Sequence, residues 1–349
     1  MITDIRLQHF RSYSDASFAF RPGVNSIVGP NASGKTNLLE AVLTVARGSS
    51  YRANDAELIS FGAPWARLDA HTPSHQRVVK IMAGDRAAKS FEIDEQKLVR
   101  LHATKLLPVV LFEPNHLLLL HGAPDLRRAF MDDLIEQTDP RFGNIRRHYR
   151  RVLAQRNALL KKDPPGIAQQ LFVWNVRLSE LGGQIARQRQ QLIARCNEHI
   201  AQLYSNIADQ PSTIQLRYAS RFPAEAYESA MLSKLEANPA LEVVRGFTAY
   251  GPHRDDMEIF IDGHAVRDVA SRGETRTLVL AFKLLEVQEL QRTRPEPPML
   301  LLDDVFSELD LRRRQALTHY VERCQTFITT TDADIVAQSF TGGNTIQLG

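Results

Sequence analysis

Eight consecutive residues, Gly29-Pro30-Asn31-Ala32-Ser33-Gly34-Lys35-Thr36, match the phosphate-binding pattern G-x-x-x-x-G-K-[ST] without a mismatch. The chemistry of such a loop is specific. Gly29 and Gly34 bend the chain so that successive backbone N–H groups face one anion, the α/β-phosphates of a nucleotide. Lys35 adds positive charge for the β/γ-phosphates, and the Thr36 hydroxyl is placed to ligate Mg²⁺, with Asn37 next in line. A magnesium-bound triphosphate also needs a carboxylate at the end of a neighbouring buried strand. Met299-Leu300-Leu301-Leu302-Asp303-Asp304 is an apolar run that ends in two acids. Asp303 is the expected metal-side residue, and Asp304 is expected to orient or deprotonate the attacking water. The bland alternatives are a Gly/Ser surface loop and a pair of acids capping the next helix.

A second anion feature is Ser271-Arg272-Gly273-Glu274, which stands directly before a helical run. Ser271, Gly273 and the first N–H groups of that helix form a phosphate site, although an ordinary Ser271/Glu274 capping box fits the tetrapeptide equally well. The two acids lie more than 260 positions after the phosphate loop. A nucleotide fold built from both is therefore split by an insertion.

The elements that must position these residues are legible in the same way. Residues 23–28 read as a short buried strand and 37–43 as an amphipathic helix, so strand, loop and helix come in the required order. Residues 1–20, 78–82 and 89–93 alternate as strands, and 108–112 read as a buried strand stopped before Pro114. From Arg127 the texture becomes helical. Ile145, Tyr149, Val152, Leu153, Leu159 and Leu160 share one side of a helix, opposite Arg146, Arg147, Arg150 and Arg151. A turn at 161–166 leads to a second run, with Leu171, Trp174, Leu178, Leu181, Ile185, Leu192, Cys196, Ile200 and Leu203 spaced by three and four. The pair predicts an antiparallel helical hairpin, with Gly182-Gly183 as a point of softening. Strands at 243–250 and 257–261 and a helix over 275–290 complete the reading.

Composition sets the outer limits. The 349 residues are 43% hydrophobic and 24% charged, ordinary for a soluble globular chain. No apolar run approaches a membrane span, and Asp4 and Arg6 stand where a secretory signal would be apolar, so a cytoplasmic protein without a membrane partner is expected. Cys196 and Cys324 have neither disulfide nor zinc spacing, and His116 and His121 read as loop residues. The net charge of +3 is unevenly spread: between Arg127 and Arg195, fourteen Lys/Arg stand against six Asp/Glu. The four-arginine face therefore reads either as a solvated helix surface or as a contact to DNA phosphates.

Taken together, the phosphate loop, Ser271-Arg272-Gly273, Asp303-Asp304 and Ser307-Glu308-Leu309-Asp310 resemble the head of an ABC-type ATPase of the SMC branch. Phe10-Arg11-Ser12-Tyr13, the stretch Gly122 through Asp132 (G-x-P-x-x-R-R-x-F-x-D) and Tyr250-Gly251-Pro252-His253-Arg254-Asp255-Asp256 are similar to elements of the RecF family. The resemblance implies an α/β fold: an ABC-type, SMC-head-like P-loop ATPase with mixed β sheets, split by an inserted all-helical hairpin lobe. Residues 1–125 and 241–349 would be the two halves of the head (lobe I), and 126–240 the helical arm (lobe II). It further implies a weak ATPase acting as a switch, in which ATP is sandwiched in a homodimer between the phosphate loop of one copy and Ser271 of the other. Partners implied are single-stranded, double-stranded or gapped DNA, RecO and RecR, and indirectly RecA. The resemblance also places Ser307 to Asp310 as a dimer-contact loop, and Glu113 near the glutamine-loop position.

Three positions depart from the pattern. Asn115 stands where an acid is usual, Glu274 where ABC signatures carry Gln, and Thr331 where many ABC proteins place a switch histidine. Other SMC-like or ABC-type ATPases, including a chromosome-maintenance head or a transporter nucleotide-binding subunit, are the alternative class. A transporter subunit is usually smaller and lacks a basic inserted hairpin. A metabolic phosphotransferase would keep its Mg²⁺ carboxylate much closer in sequence, and a DNA-binding scaffold with a dead nucleotide site would not retain Lys35, Thr36, Asp303 and Asp304 together.

Overall fold

The computed structural model describes the chain except residues 86, 238, 322, 333–339 and 341–342, and the side chains at 103, 307, 308 and 319. The chain begins with β1 (Asp4–Phe10), β2 (Tyr13–Ala19), β3 (Val24–Val28) and α1 (Lys35–Arg47). It continues through β4 (Trp65–His71), β5 (Gln76–Met82), β6 (Ala88–Ile93), β7 (Gln96–Leu98) and β8 (Val109–Phe112). Helices follow: α2 (Leu118–His121), α3 (Pro124–Thr138), α4 (Phe142–Lys162) and α5 (Ile167–Ala208). Next come β9 (Ile214–Ala219), α6 (Tyr227–Ala237), α7 (Pro239–Arg245), β10 (Asp256–Ile261), β11 (His264–Ala265), α8 (Val266–Val269) and α9 (Arg272–Thr293). The last elements are β12 (Met299–Asp303), α10 (Val305–Glu308), α11 (Leu311–Val321), β13 (Thr326–Thr330) and β14 (Asn344–Gln347).

Two compact units divide these elements: Met1–His116 with Asn206–Ala208 and Leu280–Gly349, and Leu117–Ser205 with Asp209–Val279. In the first unit, all five residues of β3, of β12 and of β13 are buried. Continuous burial of this kind is the mark of strands covered on both faces, and they pair in parallel in the order β14-β3-β13-β12-β8. β4, by contrast, buries every second residue, as a sheet with one covered face requires. It belongs to the antiparallel sheet β2-β1-β4-β5-β6-β7. α1 packs against both sheets and fills the core between them with Leu38, Leu39, Val42 and Val45.

Strand register decides what meets at the C-terminal edge of the parallel sheet. Val28 pairs with Thr330, Thr329 with Asp303, and Leu302 with Phe112. The loop after β3, the end of β12 and Glu113 after β8 therefore leave neighbouring strands at one level.

The second unit carries the helical hairpin. α4 has 21 residues and α5 has 42, joined by a turn in which Asp163 (φ 43°) and Gly166 (φ 70°) take left-handed conformations. The apolar series of α5 is buried from Leu171 to Leu203 as its spacing predicts, except Trp174, which is half-buried. Gly182-Gly183 does not break the helix: a Cβ on Gly182 would lie 3.0 Å from Met231 Sδ, so the pair serves close packing. The inserted segment is not wholly helical, because it contributes β9 to a three-stranded antiparallel sheet, β11-β10-β9. The strand expected at 243–250 is absent; Pro239 opens α7 there instead, where its fixed φ and missing N–H suit a first helical turn. Glu242 of that helix is buried against Arg156 of α4, which is itself fully buried. Asn175 and Thr248 take the remaining Arg156 donors at 2.8 Å each.

The four-arginine face is also divided. Arg147, Arg150 and Arg151 are exposed. Arg146 turns inward to Asp132, Asp133 and Glu136 at 3.3–3.7 Å, leaving its side chain 16% exposed. Three acids on α3 outcompete solvent for it.

Candidate nucleotide-binding site

The phosphate loop lies between β3 and α1, and its bend uses two left-handed residues, Ala32 (φ 67°) and Gly34 (φ 98°). A side chain at Gly34 would meet Tyr13 Oη at 2.8 Å, and one at Gly29 would come within 2.6 Å of the Leu348 carbonyl oxygen. Glycine is required at both. Tyr13 donates to the Gly34 carbonyl at 3.1 Å, and burial pushes its phenol up to about 12. Lys35 is 5% exposed and its ammonium donates to the carbonyls of Gly29 and Pro30, each at 2.9 Å. The Ser33 Oγ is buried without a hydrogen-bond partner. A buried hydroxyl with no protein partner at this loop fits a site whose ligand supplies one. Asn31 and Ala32 are exposed at the tip, and Asn37 donates to Ser12 Oγ at 2.9 Å.

Thr36 and Asp303 meet. The Thr36 hydroxyl donates to Asp303 Oδ1 at 2.9 Å across 267 positions of chain. Thr329 Oγ1 donates to the same oxygen at 2.9 Å, and the Tyr51 hydroxyl donates to Oδ2 at 2.7 Å. Asp303 is 7% exposed. Burial, and then the neighbouring Asp303 charge, push the Tyr51 phenol above its usual range, so it stays a donor. Asp304 follows with φ 54° at the start of α10 and makes no side-chain cap there; its N–H donates to Thr329 Oγ1 at 2.8 Å. Thr329 thus links the two acids. On the adjacent strand, burial and then Asp303 raise the Glu113 carboxyl above the ordinary carboxylate range. Its N–H donates to His116 Nδ1 at 3.0 Å, and burial lowers His116 to about 2, a neutral ring.

A buried acid anchors the flank of α1. Glu40 is fully buried and takes two bonds from Arg11, at 2.8 and 2.9 Å, and one from Arg52 at 3.2 Å. Burial alone would raise its pKa, but Arg11, Ser50 and Arg52 together outweigh that and hold it below the usual range. Arg52 also reaches Asn37 Oδ1 at 2.6 Å. An open cavity of about 650 Å³ lined by Arg11, Ser12, Asn37, Ser60 and the exposed Phe61 borders the start of α1.

Ser271 sits in the second unit as the first partner of a capping box. Its N–H donates to Glu274 Oε2 at 2.7 Å, and the Glu274 N–H donates to Ser271 Oγ at 3.3 Å. Arg272 is exposed and Gly273 is half-buried in the first turn of α9. The two remaining motifs clamp that unit internally. Arg127 grips Asp256 with two bonds of 2.8 Å, and Arg189 grips Asp132 at 2.8 and 3.0 Å. His253 bonds Tyr149 at 2.6 Å and the Thr248 carbonyl at 3.1 Å, and burial lowers it to about 4. These contacts make His253 an interior residue of the unit. Thr331 is exposed just after β13, and the side chains of Ser307 and Glu308 lie outside the described residues.

Sequence reasoning missed Tyr51, Thr329 and Glu40. A lone tyrosine in a Ser/Arg loop, a threonine inside a buried strand and an acid on an apolar helix carry no local signal of the partners they find.

A phosphate loop after β3, the first strand of the parallel sheet along the chain, bonded to an acid at the end of a strand from the far end of the chain, defines a split P-loop ATPase head of the ABC type. Among the described residues, no helix is long and apolar enough to cross a membrane. The chain belongs to the RecF/RecN/SMC N terminal domain family, whose model matches residues 1–344, and its near-full-length relatives carry the RecF name. It is 36% identical over 344 residues to the DNA replication and repair protein RecF of Synechococcus sp. (strain JA-3-3Ab), covering 94% of this chain and 90% of that protein. The RecF of Heliobacterium modesticaldum is 35% identical, with 95% and 92% covered. Among solved structures, the recombination mediator protein RecF in the RecFOR pathway superposes with a TM-score of 0.89 at 26% identity, over 100% of this chain and 96% of that one. Its RecF-ATP form matches at 0.85 and 27%, over 95% and 92%. A Smc head bound to a domain of ScpA matches at 0.58 and 16%, over 96% and 91%, a likeness of fold alone.

Proposed function

We propose that this chain is a RecF-type DNA replication and repair ATPase that uses ATP as a switch for dimerisation and DNA grip. The observation that carries the reading is the 2.9 Å bond from Thr36 to Asp303, which joins the phosphate loop to its distant acid. The N–H groups of residues 31–37 and the Lys35 ammonium would bind the triphosphate, with Ser33 Oγ among the donors awaiting a partner. The cavity beside Arg11, Ser12 and Asn37 leaves room for the nucleoside end. Magnesium, when bound with ATP, supplies charge neutralisation at the β/γ-phosphates. Its holders would be Thr36 and Asp303, hard oxygen donors of the type it prefers. Asp304 would orient and deprotonate the attacking water.

Ser271 and Gly273 would receive the γ-phosphate bound by a second copy, at the N-terminus of the 22-residue helix α9. To do so the phosphate must replace the Glu274 carboxylate in the capping box, because both seek the same N–H groups. Each nucleotide would then stabilise the dimer by contacts that ADP cannot make. The Met1–His116 and Leu280–Gly349 segments would act as the ATPase head and the α4–α5 hairpin as its arm, with Arg147, Arg150 and Arg151 offering phosphate contacts to DNA. RecO, RecR and, indirectly, RecA at gapped DNA would be the functional partners in the cytoplasm.

Solution mass in ATP against ADP tests the proposal. The expected result is a dimer in ATP, a monomer in ADP and a monomer in both for Lys35→Met. A wild-type chain that stays monomeric in saturating Mg²⁺ and ATP would overturn the switch.

A further inference from the structure

We propose that Tyr51 is a positioning residue: its hydroxyl fixes which oxygen of Asp303 is presented to Thr36 and to the metal. The inference deepens the nucleotide reading and rests on Asp303 as the metal-side acid.

A carboxylate has a broad, nearly two-fold torsion about its last bond, so burial alone does not choose its plane. Here the two oxygens are sorted by partner. Oδ1 receives Thr36 and Thr329 at 2.9 Å each, and Oδ2 receives Tyr51 at 2.7 Å. A Thr36 oxygen facing a cation would ligate it through a lone pair and could keep its O–H on Oδ1. Thr36 and Thr329 on Oδ1 and Tyr51 on Oδ2 would then hold the plane from both oxygens.

Tyr51 is itself held from both sides along the chain. Its neighbour Ser50 donates to the buried Glu40 at 2.5 Å, and its neighbour Arg52 donates to Asn37 and Glu40 at 2.6 and 3.2 Å. The Arg52 guanidinium also lies 5.8 Å from the centre of the Tyr51 ring. The phenol is therefore tied through two neighbours to α1, the helix that carries Thr36. Both Asp303 and its metal-side neighbour are referenced to one element, and this is how a supporting group sets the orientation of a ligand. Removing the hydroxyl leaves Oδ2 without its donor and frees the carboxylate to turn.

The test uses the full-length protein, Mn²⁺ as the probe for the metal and a non-hydrolysable ATP analogue. Free Mn²⁺ is followed by electron paramagnetic resonance in wild type, Tyr51→Phe and Asp303→Asn. Tyr51→Phe keeps the ring and removes only the oxygen. It is expected to weaken Mn²⁺ binding by about 10-fold, to leave metal-free analogue binding within about twofold, and to lower kcat at saturating metal by less than the metal constant rises. Asp303→Asn is expected to abolish the tight Mn²⁺ site. A wild-type Mn²⁺ constant in Tyr51→Phe, whether or not its melting temperature falls, together with a lost site in Asp303→Asn, overturns the role of Tyr51 and leaves the nucleotide reading intact. A wild-type Mn²⁺ site in Asp303→Asn overturns both.

Discussion

At the scale of single residues, the site works by giving each charge a defined partner. Glu40 is the clearest case, since it is fully buried yet held as a carboxylate by Arg11, Ser50 and Arg52. A carboxyl whose folded pKa lies below its unfolded value stabilises the fold above the ordinary carboxylate range and loses that contribution as pH falls through the folded value. Glu40→Gln should therefore lower stability at neutral pH and flatten the acid limb of a denaturation-against-pH profile; an acid limb equal to wild type would remove Glu40 from the account. Asp304 lies one position beyond Asp303, the proposed metal-side acid, with its backbone tied to Thr329. Asp304→Asn should retain nucleotide and trap the ATP dimer while cutting turnover by about 100-fold or more, the usual worth of a positioned base. Turnover at the native level, measured as phosphate release, would reassign the base.

At the scale of elements, hydrophobic period decided where helices run, and ion pairs decided which faces they bury. The α4–α5 hairpin follows its three-and-four spacing closely. Within it, Arg146 and Arg156 both leave the exposed position that polarity suggests: Arg146 is drawn in by α3 acids, and Arg156 is sealed against Glu242, Asn175 and Thr248. Arg156→Met should destabilise the second unit by about 3–5 kcal/mol, because Glu242 is left as an uncompensated buried charge. Urea unfolding followed by Trp174 fluorescence measures this. The strand expected at 243–250 became α7 for the same reason. Its apolar residues, including Val244 at 85% exposure, do not enter a sheet, and the burial of Glu242 turns the segment.

At the scale of the whole molecule, the basic excess between Arg127 and Arg195 is partly consumed inside the second unit by Arg127, Arg146, Arg156 and Arg189. Net charge counted along the chain therefore overstates the surface offered to DNA. Changing the exposed Arg147, Arg150 and Arg151 to Glu should weaken DNA binding uniformly across sequences. It should also reduce the slope of log K against log salt by about 0.9 for each duplex phosphate that is no longer neutralised. Fluorescence anisotropy across a salt series is the measurement, and an unchanged slope would move DNA binding away from the arm.

The sequence alone determined the phosphate loop, the strand and helix around it, the acid-tipped strand at its far partner and the helical hairpin between them. These are legible because loop chemistry, apolar runs and helical period are written within a few residues of one another. Tertiary structure alone decided that Thr36, Tyr51 and Thr329 share one carboxylate and which arginines face water. The reason is physical. A buried charge or hydroxyl takes whichever partner the fold brings within about 3 Å, and strand register across hundreds of positions, invisible to local pattern, makes that choice.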